Sequence, residues 1–141
     1  MKRQLLVSSV LLGVACGGAP ARPLSVRDAW TRPADSAAVT AAYLVVVNSE
    51  RQPVTLKSAA SPLAESVALF ETMDMGGMVH MMPVDTAPTI AAGDSLVLKE
   101  SAKHLMVNGL RRKLAAGDSL PLELTFADGR VVKVTAAVRA P

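Results

Sequence analysis

An all-β sandwich or barrel of about eight or nine strands is the fold class that the sequence predicts. Three observations carry it. From Pro23 onward, short segments rich in Val, Leu and Thr are bounded by Gly, Pro, Asn or Asp. No long stretch shows the periodicity of an amphipathic helix. Asp128-Gly129 sits between Leu122-Glu123-Leu124-Thr125-Phe126 and Val131-Val132-Lys133-Val134, a hairpin signal because both turn residues tolerate positive φ. The strands expected are 24–30, 40–48, 53–60, 65–73, 78–84, 95–99, 104–108, 120–126 and 130–138.

Before the first strand comes an export signal. Met1-Lys2-Arg3 gives a basic start, and Leu5 to Val14 is an apolar run of signal-peptide length, too short to span a bilayer as a folded helix. Leu12-Gly13-Val14-Ala15-Cys16 resembles the lipobox of a bacterial lipoprotein, with Leu12 one place further from Cys16 than the usual pattern puts it. The organisation expected is a signal peptide over 1–15, lipidation at Cys16, a flexible tether over 16–22 and one folded domain over 23–141. The alternative is a signal peptide cut further on, near Ala21, with Cys16 a leftover thiol. Either way the folded part contains no cysteine, which excludes disulfides and the thiolate of a blue-copper centre.

Within the domain, the scarce aromatic residues Trp30, Tyr43 and Phe126 are expected as core anchors among Val and Leu. Ala-Ala-Gly-Asp-Ser-Leu occurs at 91–96 and again at 115–120, each time just before an expected strand, and reads as one turn used twice. Removing Lys2 and Arg3 with the signal leaves thirteen of the fifteen basic residues against twelve acidic ones, so the exported chain is close to neutral. No basic stripe or aromatic series indicates nucleic-acid binding. Two histidines, no cysteine in the domain and no nucleophile motif argue against an enzyme, and Ser61, Ser95 and Ser119 read as turn residues.

One segment carries chemistry. Met73, Met75, Met78, Met81 and Met82 fall within ten residues, His80 lies among them, and His104 stands two residues before Met106. Thioether sulfur is a polarisable neutral donor that favours copper(I), and imidazole complements it. A thioether needs no deprotonation and forms no disulfide, so such a set survives an oxidising compartment. Residues i and i+2 of a strand share a face, which projects His104 and Met106 together, and Gly76-Gly77 can fold the 73–82 stretch into a hairpin. Met as a residue type more often fills core gaps, and exposed methionines can also form an apolar partner patch, so a metal-free scaffold is the competing reading.

Asp28-Ala29-Trp30, Ala41-Ala42-Tyr43-Leu44, Glu71-Thr72, Gly76-Gly77, Met81 with Pro83-Val84, and His104-Leu105-Met106 followed by Gly109-Leu110 run in order along the domain. Together they resemble the PCuAC-type periplasmic copper chaperones. The resemblance implies a cupredoxin-like β-sandwich that binds one copper(I) through a His, a Met and a His-x-Met pair. It also implies a monomeric carrier on the periplasmic side of the envelope, serving a copper-acceptor protein such as the dinuclear copper centre of cytochrome c oxidase. A lipid anchor would be its one tie to the membrane, and copper buffering is the alternative use of the same ligands. Met81, His104 and Met106 match three ligand positions. The fourth, a His eleven residues before the Met, is here Phe70, which has no donor atom. Either a neighbouring donor completes the site or the site is weakened. His80 is the strongest substitute by chemistry, yet regular alternation would turn it away from Met81, which makes Met78 or Met73 the next choice ahead of Met75 and Met82.

Overall fold

The computed structural model describes residues 23–140. The export segment, Cys16 and the tether lie outside the described residues. Ten strands run in chain order: β1 (Leu24–Thr31), β2 (Thr40–Asn48), β3 (Val54–Ala60), β4 (Ala64–Asp74), β5 (Val79–Pro83), β6 (Thr89–Ile90), β7 (Ser95–Leu98), β8 (Lys103–Leu110), β9 (Ser119–Phe126) and β10 (Val131–Val138). Nine are the expected strands. The tenth, β6, has two residues, too few to show any alternation, and is held on β3 by Val54↔Ile90 and Thr55↔Thr89.

Hydrogen-bonded neighbours follow the order β5-β4-β8-β2-β1-β10-β9-β3-β6, with β7 on β2 and a further contact between β3 and β4 that curls the sheet toward closure. Every pairing is antiparallel but one. β1 and β10 run parallel through Trp30↔Ala137 and Thr31↔Val138, a long-range seam that no local turn signal reports. The core fills the inside of this barrel. Leu120, Leu122, Leu124 and Phe126 alternate inward along β9, Ala42, Leu44 and Val46 along β2, and Leu105 and Val107 along β8. The buried cluster runs from Leu24 to Val138, so this segment carries a complete core of its own.

The turns follow from their residues. In both copies of the repeated hexapeptide the Asp N–H donates to the carbonyl three residues back, Asp94 to Ala91 and Asp118 to Ala115 at 3.0 Å each. Gly93 and Gly117 supply the positive φ (75° and 94°) that such a turn needs at its third residue, so one turn is indeed used twice. The β9–β10 hairpin forms as expected but with a three-residue connection: of Asp128 and Gly129 only Gly129 takes positive φ, and its N–H donates to Phe126 O. Asp128 and Glu50 both accept from the Arg130 guanidinium, and these hydrogen bonds hold both carboxyls below their usual range. Ser61 accepts locally from Leu63 N, as a turn residue does, and also donates across the barrel to Pro121 O.

Asn48, fully buried at the end of β2, locks the loops at that end of the barrel. Its amide donates to the carbonyls of Gln52, Ile90 and Ala91, and its Oδ1 accepts from Glu50 N. Asn48→Ala strands these groups in a dry site, where each unpaired one costs about 1–3 kcal/mol. The expected loss exceeds about 2 kcal/mol in equilibrium denaturation, and a loss under about 0.5 kcal/mol would show that water replaces the amide.

Candidate metal centre

The register of β4 determines which donors meet. On one side it pairs with β8, placing Phe70 opposite His104 and Ala68 opposite Met106. On the other it pairs with β5, placing Thr72 opposite Met81 and Phe70 opposite Pro83. Directly paired residues of antiparallel strands share a face, as do residues i and i+2 of one strand. Phe70, Thr72, Met81, His104 and Met106 therefore lie on one face of this three-strand corner. β2 adds Ala41 opposite Met106, and with it Tyr43. Because Leu69, Leu105 and Val107 point into the core from the other face, the shared face looks outward from the barrel.

An open cleft of about 380 Å³ lies there. Met81, His104 and Met106 line it with Thr72, Tyr43 and Arg32, and Glu100 pairs with the Arg32 guanidinium at its wall. His104 is 4 % exposed and Met81 58 %, so one donor is fixed inside the wall while another stands at the rim.

His104 is oriented by the backbone. Its Nδ1 lies 2.9 Å from the carbonyl of Ala102, and since a carbonyl can only accept, Nδ1 carries the hydrogen and Nε2 keeps the lone pair of the neutral ring. The same carbonyl accepts the N–H of Thr72 at 3.1 Å, so one oxygen ties the β4 residue opposite Met81 to the imidazole. Tyr43 flanks the ring at 6.4 Å between centroids, and Trp30 packs on Tyr43 at 4.6 Å. A bulge in β1 between Arg27 and Trp30, with Asp28 at φ 55°, sets Trp30 opposite Tyr43. Of the three expected aromatic core anchors Phe126 lies in the main core cluster, while Tyr43 is buried on the sheet's other face with Trp30 half-buried against it. Ala42 and Leu44 take the inward positions of β2, which turns Tyr43 outward to buttress His104.

Gly76 and Gly77 close the β4–β5 hairpin as expected. Both have positive φ (70° and 87°), Met75 N donates to Met78 O at 2.9 Å, and Asp74 Oδ1 accepts from Gly77 N at 2.8 Å. This is a two-residue turn of the type that suits the twist of the strands. The same hairpin separates the remaining donors from the cleft. His80 pairs with Met73 and Met82 with Glu71 on the face away from Met81, and Met78 sits across the turn from Met75. The register thus brings Met81, His104 and Met106 together and does not bring His80, Met78 or Met73 to them. Phe70, at the position where the resemblance implied a fourth donor, pairs directly opposite His104.

Among the described residues no three His, Cys, Asp or Glu side chains gather closely enough to hold a metal ion. Any metal in this cleft must lean on thioethers, which selects soft cations. The sequence reading missed the wall formed by Arg32 and Glu100, which are 68 residues apart and carry no local signal.

Comparison with known proteins agrees with this architecture. Residues 24–138 match the family described as "Putative lipoprotein LpqE-like". The chain belongs to the LpqE-like family. A relative from Leifsonia xyli subsp. xyli, "Putative lipoprotein Lxx21020", is 30% identical, with 97% of this chain and 89% of that protein covered. Among solved structures, CuI-DR1885 from Deinococcus radiodurans is 36% identical with a TM-score of 0.62, over 86% of this chain and 83% of that one. The copper-bound PCuAC domain from PmoF2 is 20% identical with a TM-score of 0.66, over 85% and 95%, a likeness of fold. This LpqE-like protein therefore has the cupredoxin-like β-fold of the PCuAC domains, as the resemblance implied.

The placement of Met81 depends on the glycine turn. Replacing Gly76 and Gly77 together by alanine puts two Cβ atoms into left-handed backbone, at about 1–2 kcal/mol each. Hydrogen exchange of the β4–β5 amides is expected to accelerate tenfold or more while β9 and β10 keep their protection. Unchanged exchange in the hairpin would mean that strand pairing alone sets the turn.

Proposed function

We propose that this protein is an extracytoplasmic copper(I)-binding metallochaperone whose cargo sits between Met81, His104 and Met106. The observation that carries the reading is the convergence of these three side chains on one cleft, with His104 held in the tautomer that offers Nε2. The copper(I) state of DR1885 and the copper-bound PmoF2 domain support it.

The donor set suits a carrier. Two neutral thioethers and a neutral imidazole match a soft monovalent ion without adding charge. The hydrogen bond from Nδ1 to Ala102 fixes the direction of the ring. Met81, exposed at the rim, is the ligand that an acceptor would displace first, so release needs ligand exchange and no catalytic step. The protein's place would be the periplasmic side of the bacterial envelope, with Cys16 lipidated, as the lipoprotein naming of its relative supports. The acceptor would be a copper site on another protein, for which the dinuclear centre of cytochrome c oxidase is the candidate. A copper buffer would use the same ligands, and transfer to an acceptor separates the two roles.

A copper(I) competition titration on residues 23–141 tests the reading. One tightly held copper(I) is expected, lost when His104 and Met106 are both changed to alanine. Phe70→His places an imidazole directly opposite His104 and should tighten binding at least tenfold, about 1.4 kcal/mol. Failure of the unmodified domain to bind, with binding restored by Phe70→His, would identify a decayed site. Failure of both would leave the exposed methionines as an apolar interaction patch.

A further inference from the structure

The hairpin that supplies Met81 to the cleft carries a second set of soft donors on its other face. Pairing of Met73 with His80 and of Glu71 with Met82 puts these four side chains on the face away from Met81. The hydrogen bond from Met75 N to Met78 O continues the register to the turn, so Met75 and Met78 follow on that face. The face begins on the core, with Val67 and Leu69, and then runs past its edge. Beyond Leu69 each residue out to the turn and back to Met82 bears a donor atom: Glu71, Met73, Met75, Met78, His80 and Met82. Glu71 is engaged with Lys103, which leaves four thioethers and one imidazole.

We infer that Met73, His80 and Met82 form a second binding site for a soft monovalent cation such as copper(I) or silver(I), with Met75 and Met78 extending it to the turn. Cβ atoms of directly paired residues stand about 4.5–5.5 Å apart, and His80 and Met82 about 6–7 Å apart along the strand. The three rotatable bonds of each Met let sulfur atoms close on the His80 ring across these gaps. The ordinary use of Met as core filler does not apply, because Met73, Met75, Met78 and Met82 are between 44% and 65% exposed. The site shares no side chain with the cleft, so it stands whether or not the cleft holds copper. Being exposed and less constrained than His104, it binds more weakly, and loads after the cleft.

Silver(I), which does not change oxidation state, is the probe. Residues 23–141 carrying ¹³C-methyl methionine are titrated and each Met methyl and His ring followed by NMR. The wild-type domain is expected to take a first equivalent at Met81, Met106 and His104 and a second at Met73, Met82 and His80. The second set should persist in the His104→Ala, Met106→Leu variant. It should vanish in Met73→Leu, His80→Ala, Met82→Leu, lowering the capacity from two equivalents to one. Static Met73 and Met82 methyls and a static His80 ring under excess silver, or an unchanged capacity in the triple variant, would overturn the inference. Movement at the hairpin with none at the cleft would overturn the proposed carrier site and leave this one standing.

Discussion

Most of what the molecule presents to solvent depends on the register of β4, held between β8 and β5. A strand has period two, so sliding β4 by one residue against either neighbour would exchange the faces. Sliding against β8 would move Leu69 and Val67 off the core and bring Ser66, Ala68 and Thr72 to it, at a cost of several buried apolar contacts. The core therefore enforces the pairing of Phe70 with His104. On the other side, the positive-φ glycines fix the turn and with it the pairing of Thr72 with Met81. Apolar burial and turn geometry thus act on one strand from opposite sides. Their product is a cleft whose donors come from sequence positions more than twenty residues apart.

The two ends of the donor set differ in how firmly they are held. His104 is packed beside Tyr43, hydrogen-bonded to Ala102 and paired with β4, so its rotamer is determined before any ligand arrives. The hairpin arm beyond Glu71 rests on strand pairing and a two-residue turn, with its side chains exposed. Local opening follows the scarcity of buried contacts, so this arm belongs to the lower end of the molecule's stability range. A pocket with one fixed wall and one compliant wall suits an ion that must be gripped and also surrendered.

Legibility followed the range of the interaction. Strands appeared where alternation and turn residues are local: the repeated Ala-Ala-Gly-Asp-Ser-Leu, Asp128-Gly129 and Gly76-Gly77 each name their own turn. The parallel seam of β1 with β10 and the two-residue β6 were not legible, since the first joins opposite ends of the domain and the second is too short to show a period. At the site, chemistry was legible and facing was only partly so. Alternation warned that His80 would turn from Met81, and the register confirms that facing. The outward turn of Tyr43 needed the whole sheet, because alternation along β2 does not say which parity the core takes.

Phe70 is where sequence and register bear on each other most directly. On the core face, at Leu69 or Leu105, an aromatic substitution would be a matter of volume. On the outer face, opposite His104, Phe70 stands where the resemblance implied a fourth donor and has no donor atom itself. A soft ion in the cleft would meet three neutral ligands in place of four. One donor fewer would lower the affinity and leave each remaining ligand easier to exchange. The hairpin's other exposed methionines face away from the cleft, so they do not make up the missing ligand. With His104 buried and Met81 exposed at the rim, Met81 is the side chain of the cleft most open to exchange.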